Sequence, residues 1–294
     1  MEGINEWNRL YIITKGTRHI RRECGHIRIC PRAFYTKGRL PFEGVPSAAI
    51  VGARACSVYG RVQARRYARE LAAAGVQIIS GLATGVDAAA HEGALEGGGV
   101  TFAVLGCGVD ICYPKENYPL MRRMLEHGGG ILSEFEPGEE PAAWHFPQRN
   151  RIISALADLV LVVEARKRSG SLITADYALE QGKSVYALPG RVNDPLSEGC
   201  NRLIAQGAGI AVEPSALLEE LGISANHRVL ENGKRKLAKE EQKMIGEMKK
   251  GSHTLEELHQ ATGYPIPELS SLLVRMQLDG LIVEEGKNIY FYRE

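Results

Sequence analysis

Residues 144–190 of this chain are WHFPQRNRIISALADLVLVVEARKRSGSLITADYALEQGKSVYALPG. The uninterrupted apolar run at residues 159–163 is typical of a strand that is buried on both faces of a sheet. A second apolar run at residues 185–188 predicts another such strand, and a helix is predicted to begin between them at Gly170-Ser171. Strands that alternate with helices in this way predict βαβ units and a parallel sheet.

The same alternation continues on both sides of this stretch. Further strands are predicted at residues 48–52, 76–80, 100–105, 130–135 and 210–212, with helices at residues 57–74 and 86–96. The sequence therefore predicts an α/β fold with a doubly wound, mostly parallel, Rossmann-like sheet over residues 45–222. Residues 1–44 are basic and irregularly patterned, and they are predicted to form a lead-in segment or a remnant of an N-terminal domain.

A small second domain is predicted after a polar linker at residues 223–236. Its region, residues 237–294, contains three short helical patterns followed by two β-prone runs. That order is typical of a winged helix-turn-helix domain. The second and third helical patterns contain one arginine, Arg275, and several acids, Glu256, Glu257 and Glu268. A helix that reads duplex DNA is normally more basic, so a role in protein contact is at least as well supported as DNA binding.

The overall composition argues against several classes of protein. The formal net charge is +1, so any nucleic acid must bind to a local patch. No apolar stretch reaches the roughly 20 residues of a membrane span, and the six cysteines form no CxxC pair. We expect a cytoplasmic protein with reduced cysteines and no membrane contact. His19, Cys24, His26 and Cys30 lie close together, but their spacing matches no zinc module, and neither a metal nor a cofactor is expected.

Glycine-rich turns follow four of the predicted strands. Turns of this kind expose backbone N–H groups at a helix start, where they hold phosphate. The candidate phosphate-loop residues are Gly52, Gly81, Gly85, Gly106, Gly108 and Gly170. The alternative is that every βα unit simply needs a tight turn. Asp87 fits a helix cap as well as a ligand contact, whereas His91 and Cys107 are interpreted as packed residues rather than as a base and a nucleophile.

Cationic residues collect beside these turns. Arg54 follows the first glycine turn, and Lys115 follows the third. The FPQRNR segment places Arg149, Asn150 and Arg151 at a predicted helix start, where arginine opposes the helix dipole. An unfavourable charge at a helix start is more readily explained by a functional role of these residues than by packing. The basic run at residues 166–168 precedes a serine-rich helix start that contains Ser171, and together they predict a phosphate-binding site.

Five segments of the chain together resemble the DNA-processing protein A family (DprA, also called Smf). They are AIVGAR (49–54), SGLATGVDAAAH (80–91), FPQRNRII (146–153), VVEARKRSGSLITA (162–175) and YALPGRVNDPLSEGCNRLI (186–204). They stand in the order of the family and cover about residues 45–222. The resemblance implies a Rossmann-like domain that binds single-stranded DNA in a positive pocket, forms a dimer and hands the strand to the RecA recombinase during natural transformation.

The resemblance also implies which residues form the pocket. Arg54, Arg149, Asn150 and Arg151 are assigned to it by the matching motifs, with Lys115, Ser171 and Arg191 as weaker assignments. Two features depart from the family. Its usual glycine-serine-arginine is Gly52-Ala53-Arg54 here, and its N-terminal helical domain is absent or reduced to part of residues 1–44.

Two other functions remain as alternatives. The glycine loops suit a nucleotide-binding enzyme of the phosphoribohydrolase type, with Glu134 or Asp87 as its acid or base, although the PGGxGTxxE signature of those enzymes is absent. A winged-helix transcription factor is less well supported because its recognition helix is acidic. No nucleophile with its partner and no paired acid and base stands out, so we predict a DNA-binding protein rather than an enzyme, with no catalytic residues.

Overall fold

The structure is a computed structural model that describes residues 10–14, 33–223, 239–248, 253–278, 282–284 and 289–292. The chain forms two compact units, Met1–His227 and Arg228–Glu294. Their boundary lies within the linker that the sequence predicts at residues 223–236. The four residues that suggested a metal site, His19, Cys24, His26 and Cys30, lie outside the described residues.

A nine-stranded sheet forms the centre of the first unit. Its strands are β1 (Leu10–Thr14), β2 (Ala33–Gly38), β3 (Ser47–Val51), β4 (Gln77–Ser80), β5 (Thr101–Val104), β6 (Gly130–Ser133), β7 (Leu159–Val162), β8 (Ser184–Ala187) and β9 (Gly209–Ile210). Their order across the sheet is β1-β2-β6-β5-β4-β3-β7-β8-β9. Strands β3 to β9 pair in parallel, which confirms the predicted doubly wound sheet.

Two strands come from the segment that the sequence analysis treated as an irregular lead-in. β1 and β2 pair antiparallel with each other, and β2 pairs antiparallel with β6. Along β2, Phe34 and Thr36 are buried while Tyr35 and Lys37 are partly exposed. This alternation is typical of an antiparallel strand that has one face towards the core and the other towards solvent. Part of the segment before residue 45 therefore belongs to the sheet.

Seven helices of the described part of this unit cover the two faces of the sheet. They are α1 (Val58–Ala73), α2 (Val86–Glu96), α3 (Tyr118–Glu126), α4 (His145–Ala155), α5 (Gly170–Glu180), α6 (Glu198–Ala205) and α7 (Pro214–Glu220). Helices α1, α2, α3 and α7 share one face, and α4, α5 and α6 share the other. Along β7, Leu159 and Leu161 face the first group while Val160 and Val162 face the second. Burial on both faces explains the continuous apolar run in the sequence.

The order of the strands reverses beside β3. From β3 the chain proceeds outward through β4, β5 and β6, and it then returns to place β7 on the other side of β3. Loops after β3 and β7 therefore diverge and leave a crevice at the carboxyl ends of these strands. In open α/β sheets ligands bind at this switch point.

The second unit has the order of elements of a winged helix. Its elements are α8 (Lys239–Met248), β10 (His253–Thr254), α9 (Leu255–Thr262), α10 (Ile266–Leu278), β11 (Ile282–Glu284) and β12 (Ile289–Tyr292), with sheet order β10-β12-β11. Thr254 and Glu257 form a capping box that fixes the start of α9. The three helices and the β-hairpin match the prediction, which missed only the short strand β10.

None of the helices in the described ranges is both long and apolar enough to cross a membrane. Within the same ranges, no three His, Cys, Asp or Glu residues lie together as metal ligands.

Candidate nucleic-acid interface

A cleft of about 680 Å³ lies at the switch point, beside the ends of β3 and β7. Three parts of the chain form most of its walls: the turn between β3 and α1, the first turns of α4, and the loop that leads from β7 into α5. The lining includes Gly52, Arg54, Asp87, Tyr113, Phe146, Arg149, Asn150, Arg166, Arg168, Gly170 and Ser171. Arg54, Arg149, Asn150 and Ser171, which come from three segments far apart in sequence, thus line one cleft.

Exposed cations and aromatic rings meet at the mouth of this cleft. The guanidinium carbon of Arg54 lies 4.6 Å from the centroid of the Phe146 ring. The Tyr113 and Phe146 rings are tilted by 32° with centroids 5.6 Å apart. Arg54, Arg166 and Arg168 are all exposed. Such a combination suits a ligand that carries both phosphates and flat rings.

The start of helix α5 opens into the same cleft. Ser169 caps the helix by accepting a hydrogen bond from the Ser171 amide, at 3.4 Å. The first turn contains no acidic residue, and nothing lies within 4 Å of the position that a Cβ of Gly170 would take. A helix start with uncompensated N–H groups attracts anions. Gly170 and Ser171, at this helix start, line the same cleft as Arg166 and Arg168.

Asn150 connects α4 to this helix start. Its side-chain amide donates to the Gly170 carbonyl at 3.1 Å, and its oxygen accepts a hydrogen bond from Arg149 Nε at 3.3 Å. The side chain is nearly buried, so its visible role is to hold the start of α5 in place while also lining the cleft.

Arg149 has a more structural position than the sequence suggests. It is only 4% exposed, and its Nη1 donates to the Gly81 carbonyl at 2.9 Å and also to the Val104 carbonyl. Burial lowers the pKa of Arg149 to about 10, and the nearby Asp87 carboxylate partly opposes this shift. The guanidinium remains charged at neutral pH and ties the ends of β4 and β5 to α4. The inference that this arginine does not help packing is therefore wrong.

Arg151 does not line the cleft. Its Nη2 forms an ion pair with Glu134 Oε2 at 2.5 Å, and both side chains are 8% exposed. Gln148 Nε2 also donates to this carboxylate oxygen, at 3.1 Å. Arg151 and Glu134 are therefore each other's partner in a buried ion pair. Glu134 is one of the two acids that the enzyme alternative considered.

Lys115 and Arg191 are exposed but lie outside the lining of the cleft. Lys115 begins a short 3-10 turn, and Arg191 lies in the loop after β8. These two predicted pocket residues therefore do not share the cleft that Arg54 and Ser171 line.

Most of the predicted phosphate-loop glycines are explained by close packing. At five of them an added Cβ would lie under 3.0 Å from another atom: Gly52, Gly81, Gly85, Gly106 and Gly108. Gly85 also has a φ of 78°, a conformation that favours glycine. Of these five, Gly52 alone lines the cleft.

The two residues interpreted as packed are packed in the structure. His91 Nδ1 lies 2.6 Å from the Thr101 hydroxyl, which itself donates to the Ile78 carbonyl. Burial lowers the pKa of His91 to about 3, so the ring is neutral. Burial also raises the pKa of Cys107 to about 11, which leaves its thiol protonated and a poor nucleophile.

The basic run at residues 166–168 was predicted to form a phosphate-binding site with the serine-rich helix start, but Arg166 and Arg168 were not among the assigned pocket residues. Both of them line the cleft. Their position just before that helix start was the signal in the sequence that could have added them to the assignment.

Comparisons with known proteins agree with the resemblance. A family model described as DNA recombination-mediator protein A matches residues 11–222. Protein Smf of Escherichia coli strain K12 is 40% identical over 259 residues, which are 86% of this chain and 69% of that protein. The X-ray structure of DNA processing protein A from Streptococcus pneumoniae has a TM-score of 0.67 and 40% identity, over 73% of this chain and 75% of that one.

A second solved relative carries a description of its ligand. DNA processing protein A from Helicobacter pylori has a TM-score of 0.64 and 30% identity, over 73% of this chain and 96% of that one. Its description reports a single-stranded DNA binding mode. Because the family model spans most of the first unit and both solved relatives share its fold, this chain belongs to the DNA recombination-mediator protein A family.

Proposed function

We propose that this chain binds single-stranded DNA in the cleft at the switch point and hands it to the RecA recombinase during recombination, including natural transformation. The observation that carries the proposal is the mouth of the cleft, where Arg54 lies 4.6 Å over the Phe146 ring. Phosphates of the strand contact Arg54, Arg166, Arg168 and the start of α5, while a base stacks on the aromatic pair of Tyr113 and Phe146. The Helicobacter pylori relative, described as binding single-stranded DNA, supports this choice of ligand.

The aromatic pair favours a single strand over a duplex. A base stacks on a side chain only when its own face is free, which is the case in a single strand and not in a paired helix. The positive charge of the site is also local, since the whole chain has a net charge of only +1. Arg54, Arg166 and Arg168 supply it around one crevice.

We propose that the cleft binds its ligand without changing it. Asp87 faces the cleft, but its carboxylate accepts hydrogen bonds from the Gly81 and Ala83 amides at 3.1 and 3.4 Å. Glu134 is held by Arg151. Both candidates for the acid or base of the enzyme alternative, Asp87 and Glu134, are thus engaged with protein groups.

We expect a labelled single-stranded oligonucleotide to bind more tightly than its duplex, with affinity that falls as salt rises. Three arginine contacts, at about 0.7 per contact for single strands, predict a slope of about −2 for log affinity against log salt. Fluorescence anisotropy across a salt series measures both quantities. Equal affinity for the duplex, or a slope near zero, would contradict the proposal.

The handover to RecA is tested with the same oligonucleotide. After it is coated with a single-strand binding protein, we expect RecA to assemble on it sooner when this chain is present. RecA filaments form in the cytoplasm, and we propose that this chain acts there. Unchanged RecA assembly in the presence of bound chain would remove the handover and leave the DNA site standing.

We also propose that the chain forms a homodimer through the edge of its sheet at β9. Ile210 is 50% exposed and Val212 65% exposed beside this edge strand, and apolar side chains at an open edge favour pairing with another chain. We expect light scattering to give a dimer of the 32.2 kDa chain and a monomer for Ile210→Glu. A wild-type monomer at micromolar concentration would contradict this.

A further inference from the structure

The start of helix α1 already contains an anion, and the protein itself supplies it. Glu164 follows β7, the strand beside β3, and its Oε2 accepts a hydrogen bond from the Ser57 amide at 2.8 Å. Its Oε1 accepts one from the Ser57 hydroxyl at 2.5 Å. That hydroxyl oxygen in turn accepts from the Gly60 amide at 3.0 Å. The carboxylate thus engages both hydrogen-bonding groups of Ser57, the N-cap residue of α1.

This position is where related folds bind a phosphate group. In Rossmann folds the pyrophosphate of a dinucleotide lies at the N-terminus of the helix that follows the first strand, at the switch point. Here β3 and α1 correspond to that strand and helix, and Gly52 and Ser57 between them lie against Glu164, just after the neighbouring strand β7. The turn has the expected glycine, Gly52, but a carboxylate stands in place of the ligand.

The local sequence is adapted to hold this carboxylate closely. A Cβ added at Gly60 would lie 2.3 Å from the Glu164 carboxyl carbon, so a larger residue at that position does not fit beside it. Glu164 is only 3% exposed. A buried carboxylate that accepts two hydrogen bonds, one at each oxygen, is not readily displaced by a ligand from water.

We infer that Glu164 determines specificity by excluding the phosphate groups of nucleotides from the α1 start. Its charge repels an incoming phosphate, and its side chain fills the volume that the phosphate needs. Asp87 acts in the same way at the next glycine turn, through the Gly81 and Ala83 amides. The start of α5, which has no acidic residue in its first turn, remains for an anionic ligand. The inference concerns phosphate binding at the start of α1, and it does not depend on whether the cleft binds DNA.

The test compares the wild type with Glu164→Ala and Glu164→Gln, using inorganic pyrophosphate as the probe. Amide chemical shifts of Ser57 and Gly60 report binding at α1, and those of Ser171 report binding at α5. Glu213→Ala is the matched control, because it removes the same charge from an exposed residue paired with Arg66. These amide shifts are measured without DNA. A protein that fails to bind DNA in the anisotropy assay would therefore still test the inference about α1.

We expect pyrophosphate to shift the Ser57 and Gly60 amides in Glu164→Ala with an affinity at least about tenfold above that of the wild type. In Glu164→Gln the gain is smaller, because the amide still fills the volume while the repulsion is gone. Glu213→Ala behaves as the wild type. If the alanine variant does not fold, the glutamine variant decides. Wild-type responses at Ser57 in whichever variants fold would overturn the inference.

Discussion

Arg149→Leu should lower the free energy of unfolding of the first unit by about 3–5 kcal/mol. The substitution removes the charge that compensates the buried Asp87 carboxylate, whose pKa burial already raises against the attraction of Arg149. It also takes the donor away from the Gly81 and Val104 carbonyls. Urea unfolding followed by tryptophan fluorescence measures the loss, because Trp144 lies in the first unit.

Two further variants separate this effect from a general loss of charge. Arg122→Leu removes an exposed arginine that pairs with Glu126 on α3, and it should change stability by less than about 0.5 kcal/mol. Asp87→Asn combined with Arg149→Leu should recover part of the loss, because the unpaired charge is gone. If Arg149→Leu is as stable as the wild type but no longer binds DNA, then Arg149 is a ligand contact, as the sequence analysis predicted.

The sheet was predictable because its central strands are buried on both faces. Such strands need apolar side chains at every position, and this leaves an uninterrupted run such as residues 159–162 in the sequence. β1 and β2 lack this signal. They lie at the edge of the sheet, where only alternate residues of β2 are buried, and a short alternating run that contains lysine and glycine is easily taken for a loop.

The separate roles of Arg149 and Arg151 were not predictable from their sequence. The two arginines are two residues apart in the same predicted helix, and in the sequence both suggest a cationic site at its start. Their partners decide their roles, and these come from other strands: the Gly81 carbonyl follows β4, and Glu134 follows β6. Because such partners are distant in sequence, local pattern cannot distinguish a buried arginine from one that faces a ligand.

The same limit applies to the helix starts. Glycine turns before α1, α2 and α5 look alike as local signals for phosphate. Glu164 occupies the start of α1 from a position 107 residues later in the chain, and Asp87 engages the turn before α2. The start of α5 contains no such carboxylate in its first turn. The sequence predicted that the candidate site lies at the carboxyl ends of the parallel strands. Which of the glycine turns there is left open to an anion depends on tertiary contacts that the local sequence does not show.

The other large effect is expected at Arg54. Arg54→Ala should weaken binding of single-stranded DNA about ten- to a hundredfold at low salt, as the loss of one charged hydrogen bond predicts. The salt slope should fall by about 0.7, the value of one phosphate contact on a single strand. Arg54 is exposed, so the stability of the variant should stay close to that of the wild type. Anisotropy and urea unfolding measure these quantities on the same preparations.

Phe146→Leu is the informative companion, because it removes a ring and no charge. Stacking of one base is worth about 1–3 kcal/mol, so affinity should fall while the salt slope stays at its wild-type value. Since Arg54 lies directly over this ring, each side chain orients the other, and the two losses should sum to more than that of the double variant. Arg122→Ala, with its arginine on α3, should bind as the wild type does. Strictly additive losses would mean that Arg54 and Phe146 act independently of each other. An unchanged slope in Arg54→Ala would mean that Arg54 contacts no phosphate and that the strand enters the cleft elsewhere.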